Sequence, residues 1–256
     1  MQYSVPTGRH LAPLLLVASV FLAGCTANTT GETVFDPYEA QNRKVHAFNK
    51  RVDRAMGGGK GGGVGQAIPE PVTLGLSNLS TNFSQPSYMM NHLLQGNMEG
   101  AMRNFWRALV NTTVGIGGLF DPATRIGLHD DATDFGVTLA KLGIQEGAYV
   151  ELPILGPSTE RDVAGKVFDV LLNPLQGVIK AEDQRKITVI RVFSRAGDRA
   201  KYSETVDSVL YDSADSYAQS RIIYLQNRRG QTGDTAAAEA EADEVYDSYE
   251  DFYSGQ

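Results

Sequence analysis

The chain has 256 residues, of which 30 are acidic and 23 are Lys or Arg, so its net charge is −7. Eight acidic residues lie between positions 234 and 251, and between positions 25 and 230 the two signs balance. A neutral body lacks the basic field that binds phosphate backbones, which argues against a nucleic-acid partner. The only cysteine, Cys25, excludes an internal disulfide and a cysteine–histidine zinc site.

The N-terminus has the pattern of a secretory signal. A short polar start precedes an apolar stretch over residues 11–22. This stretch is shorter than the roughly 20 residues that a membrane-spanning helix needs. The sequence LAGC at residues 22–25 then matches the bacterial lipobox, in which small residues lead to a cysteine that receives lipid.

We therefore predict that residues 1–24 are a lipoprotein signal peptide, that Cys25 is acylated, and that residues 25–35 form a polar tether. Thr26, rather than an aspartate, follows the cysteine, which favours sorting to the outer membrane. The alternative is an uncleaved signal anchor in which the cysteine occurs by chance.

The first element of the body is an amphipathic helix, predicted over residues 37–55 from apolar residues at 3–4 spacing. Asp36 is the predicted N-cap, and Glu39 completes a capping box. The segment Gly57–Gly65 follows, and its glycines are too costly for a helix to continue.

The glycine segment matches a nucleotide-binding turn by composition alone. No strand precedes it, and no Ser or Thr follows Lys60, so neither a Rossmann turn nor a P-loop is supported. We interpret it as a flexible loop that begins at Gly57, includes Lys60 and ends at Gly65.

Short helices are predicted at residues 73–82 and 86–95, and a clear helix at 98–111. The last has a bulky apolar face that could pack in a core or face acyl chains. A further short helix is predicted at 123–125, and residues 134–160 are interpreted as loops with a weak strand at 149–152. The large side chains of the apolar face are Met98, Met102, Phe105, Trp106 and Leu109.

Helices are also predicted at residues 159–172, 183–196 and 203–229. Residues 230–256 are rich in Ala, Glu and Asp and are predicted to be a mostly disordered acidic tail. The body is therefore expected to be mostly α-helical, with long glycine-rich connections.

Recognisable catalytic patterns are missing from the sequence. His46, His92 and His129 lie far apart and outside an H-E-x-x-H motif, and no G-x-S-x-G or S-x-x-K motif is found. We therefore expect neither a metal nor a cofactor, and we predict that the protein is not an enzyme.

Three blocks of sequence resemble the MlaA/VacJ family of outer-membrane lipoproteins, and the similarity extends over residues 36–229 behind the lipobox. A Ser-Tyr pair at residues 216–217, with Arg221 and Tyr224, resembles the last helix of that family. The three blocks are DPYEAQNR at residues 36–43, NHLLQG to NTTVGIGG at residues 91–118, and FGVTL to LPILGPST at residues 135–159.

The resemblance implies an all-α fold in which amphipathic helices form a ring within one membrane leaflet around a central amphipathic channel. It also implies a role in lipid asymmetry: stray phospholipids leave the outer leaflet and pass to a periplasmic, MlaC-like carrier, while a trimeric porin holds the ring. In this family an apolar, aromatic stretch is usual where this chain has Gly57–Gly65.

Charged residues follow the third block, and we predict that Arg161, Asp162 and Asp169 line the channel, with Lys180 as a further candidate. The alternative for this cluster is a solvated helix face. For the whole protein, the alternatives are a lipid-tethered structural adaptor bound to porins and a lipid-tethered hydrolase of the envelope.

Overall fold

The computed structural model describes residues 34–59, 65, 67–177 and 179–234. The signal peptide, Cys25, most of the tether, Lys60 and the tail from residue 235 lie outside the described residues. The helices are α1 (Glu39–Ala55), α2 (Glu70–Leu94), α3 (Met98–Thr113), α4 (Pro122–Arg125), α5 (Phe135–Lys141), α6 (Glu160–Leu171), α7 (Ala181–Lys201), α8 (Ser203–Asp207) and α9 (Ser216–Thr232). The strands are β1 (Tyr149–Leu152) and β2 (Gly156–Thr159); single turns of 3₁₀-helix and π-helix occupy Pro174–Gly177 and Ser208–Asp212.

The helical character predicted for the body is confirmed, and α1, α3, α4 and α6 lie close to their predicted bounds. Side chains cap three of these helices, including α4, where Asp121 accepts a hydrogen bond from Thr124 N. Asn97 accepts a hydrogen bond from Gly100 N at the start of α3, and Thr159 accepts one from Asp162 N at the start of α6. Such caps are local features, so the sequence pattern was sufficient to find these helices.

The capping box predicted for the first helix is wrong. Tyr38 is the N-cap residue of α1 and makes no side-chain cap. The Asp36 carboxylate instead accepts hydrogen bonds from Asn42 (2.9 Å), from Arg221 (2.6 Å) and from the hydroxyl of Tyr217. A charged donor from α9 is a stronger partner than the free backbone N–H groups of the helix start, so Asp36 joins the two ends of the fold.

The two short helices predicted between residues 73 and 95 are wrong as well, because one helix, α2, continues through Pro86. Proline removes a backbone donor and normally bends or breaks a helix. Hydrogen bonds to residues outside the helix nevertheless stabilise this stretch. The side-chain amide of Asn82 donates to Thr112 Oγ1 (3.0 Å), and that of Gln85 donates to Asp130 Oδ1 (2.8 Å). Packing of α2 against α3 and α7 therefore overrides the local preference.

Residues 134–160 are more regular than predicted. They contain α5 and an antiparallel hairpin in which Tyr149 pairs with Thr159 and Leu152 with Gly156. The hairpin turn places Ile154 at a positive φ of 68°, and its N–H donates to Asn49 Oδ1 in α1. The hairpin thus depends on a partner about 100 residues away, which local alternation could not reveal.

The predicted helix over residues 203–229 is in fact interrupted. The chain leaves the helical conformation around residues 213–215, and Asp215 then caps α9 through hydrogen bonds from Tyr217 N and Ala218 N. Helix α9 extends to Thr232, where Gly233 adopts the left-handed conformation, so the first residues assigned to the tail are helical.

Polar side chains fill much of the interior, and large apolar side chains cover much of the surface. The buried apolar cluster centres on Tyr149, Tyr217 and Leu225. The large side chains of the apolar face of α3 are between 43% and 63% exposed, so they do not form a core. Buried polar or charged residues include Asn91, His92, Asn104, Arg107, Asn111, Glu151, Arg161, Asp162, Arg228 and Arg229.

So many exposed large apolar side chains together with so many buried polar and charged ones are unusual in water-soluble proteins. Within the described ranges, no helix combines the length and the apolar character that crossing a bilayer requires.

Candidate functional site

A cavity of about 740 Å³ lies beside the pair of long helices α2 and α7. Helix α2 contributes side chains at 3–4 spacing, which places them on one face of the helix. These are Ser77, Ser80, Thr81, Ser84, Ser87 and Tyr88. The sequence prediction missed this face, although a hydroxyl-rich stripe on an otherwise apolar helix was a readable signal.

Helix α7 supplies a second polar stripe to the same cavity. Its members follow the same 3–4 spacing: Gln184, Thr188, Arg191, Arg195 and Asp198. Apolar side chains complete the lining, namely Val170, Leu175, Ile187 and Val192. The cavity is therefore amphipathic, with hydroxyl, charged and apolar groups on neighbouring parts of its wall.

Asp169 is the predicted channel residue that lines this cavity. Its carboxylate accepts hydrogen bonds from Asn91 Nδ2 (2.9 Å) and from Phe135 N (3.1 Å). Burial raises the pKa of Asp169 above its ordinary value, in spite of these donors. Its role in a channel stays a prediction.

Asp134 lines the cavity too, but its charge is already paired. Burial alone would raise the pKa of Asp134, yet the hydrogen bonds from Arg228, the shorter at 2.6 Å, outweigh that effect and hold the pKa below its usual range. Asp134 Oδ1 also accepts from Val137 N and so caps α5.

Arg161 and Asp162 lie outside the lining of this cavity, in a buried network that Arg228 connects to Asp134. Arg228 Nη2 donates to Asp162 Oδ1 (2.8 Å), and the Tyr224 hydroxyl donates to the other carboxylate oxygen. Arg161 donates to the carbonyl of Ile144 (3.2 Å). These contacts link α6 to α9 and to the loop before the hairpin, which is a structural role.

The remaining predicted residues are dispersed. Lys180 is exposed and precedes the first turn of α7. Gly57 continues directly from α1 with a positive φ of 96°, and Gly65 is buried. A Cβ atom on Gly65 would lie 2.1 Å from the carbonyl oxygen of Ala196. The flexibility predicted for the glycine segment concerns mainly residues 60–64, outside the described residues.

A serine, a histidine and a glutamate are joined in the order found in hydrolases. Ser216 Oγ lies 3.1 Å from His46 Nε2, and His46 Nδ1 lies 3.4 Å from Glu151 Oε1. The backbone N–H groups of Tyr217 and Ala218, which could hold an oxyanion, already donate to Asp215. The arrangement joins α1, β1 and α9 and is not prepared for acyl transfer.

The part of the chain that the structure describes contains no candidate metal site. No group of three or more His, Cys, Asp and Glu side chains there is placed to hold an ion. The arrangement that remains is an amphipathic cavity in a protein that exposes many large apolar side chains.

Comparison with known proteins identifies relatives over most of the chain. The family model described as MlaA lipoprotein matches residues 34–231. The Intermembrane phospholipid transport system lipoprotein MlaA of Shigella flexneri is 32% identical over 219 residues, which cover 83% of this chain and 84% of that protein. An uncharacterized protein of Rickettsia bellii (strain RML369-C) is 34% identical over 208 residues, or 76% of each chain.

A solved structure is similar as well. It was described as the structural basis for maintenance of bacterial outer membrane lipid asymmetry, and it matches with a TM-score of 0.63 at 28% identity. The match covers 77% of this chain and 98% of that chain. By the extent of the family match and the identity to its members, this chain belongs to the MlaA lipoprotein family.

Proposed function

We propose that this protein maintains lipid asymmetry in the outer membrane by removing phospholipids that reach the outer leaflet. The lipids pass through the protein to a soluble carrier in the periplasm. The relatives named for intermembrane phospholipid transport support this proposal, as does the likeness to a structure associated with lipid asymmetry.

The observation that carries the proposal is the combination of an apolar exterior with an amphipathic cavity. Exposed Phe105, Trp106 and Leu109 on α3 are unfavourable in water, since burying a side chain of this size gains about 1.5–3 kcal/mol. Acyl chains would cover this face. The polar side chains of α2 and α7 would then line a hydrated path through the apolar layer.

In this proposal the helices form a ring that lies flat in the inner leaflet, and the cavity is part of its channel. Backbone groups are satisfied within helices, so such helices can lie within a leaflet without crossing the membrane. A headgroup has to pass about 15 Å of hydrocarbon, half of the bilayer core. Hydroxyl and charged side chains of the lining replace part of its hydration shell on the way.

No covalent step is part of this mechanism. A phospholipid moves down its own gradient, its headgroup along the polar stripes of α2 and α7 and its acyl chains along the apolar part of the lining, which includes Ile187 and Val192. Energy enters elsewhere in the transport route. The protein supplies a polar path, so the headgroup does not have to lose its hydration in the hydrocarbon layer, which would be costly.

Localisation and partners complete the proposal. Acyl chains on Cys25 anchor the protein to the outer membrane, on its periplasmic side. A trimeric porin holds the ring in the leaflet, and an MlaC-like carrier receives the lipid.

The deciding experiment measures phospholipid exposed in the outer leaflet of cells that lack the protein, of cells in which it is restored, and of cells that receive the Cys25→Ala variant. We expect exposure to rise on deletion, to fall on restoration, and to stay high with the variant. If deletion leaves lipid distribution unchanged while a porin still co-purifies with the protein, the structural adaptor is the correct description.

A further inference from the structure

We propose that Arg191 and Arg195 form a binding site for the phosphate group of the lipid headgroup inside the cavity. This inference rests on the proposed function and specifies which part of the lipid is recognised. Both residues lie on the same face of α7, one turn apart, and both line the cavity.

Among the described residues, no carboxylate is bound to either guanidinium group. In the described part of the chain, neither Arg191 nor Arg195 forms an ion pair or a hydrogen bond with another side chain. The more deeply placed arginines differ: Arg107, Arg199 and Arg228 each have a carboxylate within 3.1 Å. The donors of Arg191 and Arg195 therefore remain available to a ligand.

Among the described residues, the acidic groups of the cavity form no ion pair with Arg191 or Arg195. Asp134 is bonded to Arg228, and Asp169 accepts from Asn91 and from the backbone of Phe135. Asp198 lies on the same stripe of α7, one turn beyond Arg195, and makes no ion pair with it among the described residues. An anion that enters the cavity would find free arginine donors on this part of α7.

The polar stripe that α2 contributes to the cavity can donate hydrogen bonds to a phosphate ester and carries no charge that would repel it. The α2 residues Ser77, Thr81, Ser84 and Tyr88 offer hydroxyl groups and no negative charge. Burial raises the pKa of Tyr88, which keeps its hydroxyl protonated and able to donate. A planar guanidinium can donate two parallel hydrogen bonds to a phosphate, a geometry that lysine cannot provide.

The apolar side chains next to the arginine pair favour a lipid, rather than a free phosphate ion, as the ligand. Val170, Leu175 and Val192 share the cavity wall with the arginine pair. A phosphate held by α7 would therefore place attached acyl chains against apolar side chains. A free phosphate ion would gain nothing from that part of the wall.

The test compares full-length acylated protein with the double variant R191Q/R195Q in detergent micelles. It measures binding of a fluorescent phosphatidylglycerol and of the diacylglycerol with the same chains. We expect the wild type to prefer the phosphate-bearing lipid, and the variant to lose affinity for it by about tenfold or more while binding diacylglycerol unchanged.

Two further variants make the result specific. R185Q/K186Q removes the same charge from the same helix at positions outside the cavity lining, and should bind both lipids like the wild type. R191K/R195K keeps the charge but loses the planar donors, and should lie between wild type and R191Q/R195Q. Circular dichroism and the thermal midpoint confirm that each variant is folded.

Equal binding of phosphatidylglycerol by the wild type and R191Q/R195Q would overturn the inference. Displacement of the lipid by millimolar inorganic phosphate would also overturn it, because the site would then recognise the ion alone. The proposed function fails separately, if deletion of the protein leaves the lipid distribution of the cell unchanged. A phosphate preference that depends on Arg191 and Arg195 could be measured in either case.

Discussion

Arg228 Nη2 in the last helix lies 2.8 Å from Asp162 Oδ1 in the first turn of α6, and both side chains are buried. The pair connects α6 to the C-terminal end of the helical body and is completed by the hydroxyl of Tyr224. A carboxylate held in this way stabilises the fold, whereas Asp169, two turns along the same helix, faces the cavity. Two aspartates of one predicted cluster therefore have different surroundings.

Replacing Asp162 by Asn should lower the free energy of unfolding by about 3 kcal/mol, because it leaves the buried Arg228 without one of its charged partners. Denaturant titration of the detergent-solubilised protein measures this. The exposed Asp183, which pairs with Lys186 at the surface, provides the control: D183N should change the free energy by less than about 0.5 kcal/mol. Equal stability of the two variants would contradict the structural role of Asp162.

Helices α5 and α6 approach each other closely at Gly165. A Cβ atom there would lie 2.4 Å from Gly136 N and 2.7 Å from Gly136 Cα. Both are backbone atoms that cannot move aside, so G165A should lower the free energy of unfolding by about 2 kcal/mol or more.

Gly230 is the matched control, since it lies within α9 and a Cβ atom on it would meet no neighbouring atom within 4 Å among the described residues. G230A should raise the free energy of unfolding by about 0.5–1 kcal/mol through helix propensity. Thermal midpoints of the two proteins should therefore shift in opposite directions. A shift of the same sign for both would mean that helix packing at Gly165 is looser than the distances indicate.

The ion pair of Asp215 should make the stability of the protein depend on pH in the acid range. The hydrogen bond from Arg43 lowers the pKa of Asp215 to about 2, from an ordinary value of 3.8. A carboxyl group whose pKa is lower in the folded state contributes stability above its unfolded pKa and loses it as the pH falls through the folded value. Part of the stability at neutral pH should therefore disappear between about pH 4 and pH 2.

Two variants separate the charge of Asp215 from its role as N-cap of α9. D215N keeps a capping side chain and should show a shallower loss of stability than the wild type over the same acid range. D215A also loses the cap and should be less stable by about 1 kcal/mol at neutral pH. Denaturation midpoints across this pH range provide the measurement, and identical acid profiles for wild type and D215N would refute the assignment.

Apolar surface should keep the protein dependent on detergent even without its acyl chains. A Cys25→Ala protein lacking residues 1–24 still exposes Phe105, Trp106 and Leu109 on α3. We expect it to associate into large species in buffer and to be monodisperse in mild detergent, as judged by analytical ultracentrifugation. Changing these three residues to Gln should reduce the association, and a monodisperse Cys25→Ala protein in plain buffer would contradict the leaflet-embedded arrangement.

Local patterns were sufficient for the helices whose starts and apolar faces lie in one short stretch. The bounds of α3 and α6 were predicted closely from the local pattern, and the structure adds the caps Asn97 and Thr159 at their starts. The same reasoning failed at Pro86, where long-range bonds of Asn82 and Gln85 keep α2 continuous. For the hairpin, it predicted the strand at residues 149–152, which is confirmed as β1, but not its partner β2 or the turn, which is held by Asn49 of α1.

In the candidate site, too, local sequence predicted some residues, and only tertiary packing revealed others. Asp169 was predicted as a channel residue from its place in a charged cluster, and it lines the cavity. Arg191 and Arg195 were not predicted, because their sequence neighbourhood resembles any charged helix. Only the packing of α7 beside α2 brings these arginines to a wall shared with Ser84 and Tyr88. Spacing along one helix predicts which residues share a face, but not what that face meets.

The sequence by itself determined the helical class, the approximate bounds of α1, α3, α4 and α6, and the resemblance to a family that the comparisons then confirmed. The signal peptide and the acylation of Cys25 stay predictions. The tertiary structure decided which polar groups are buried as pairs and which line the cavity. The physical reason is distance along the chain: Asp162 and Arg228 are 66 residues apart. Such a pair forms only when the chain folds, so burial and charge at each position are properties of the assembled helices.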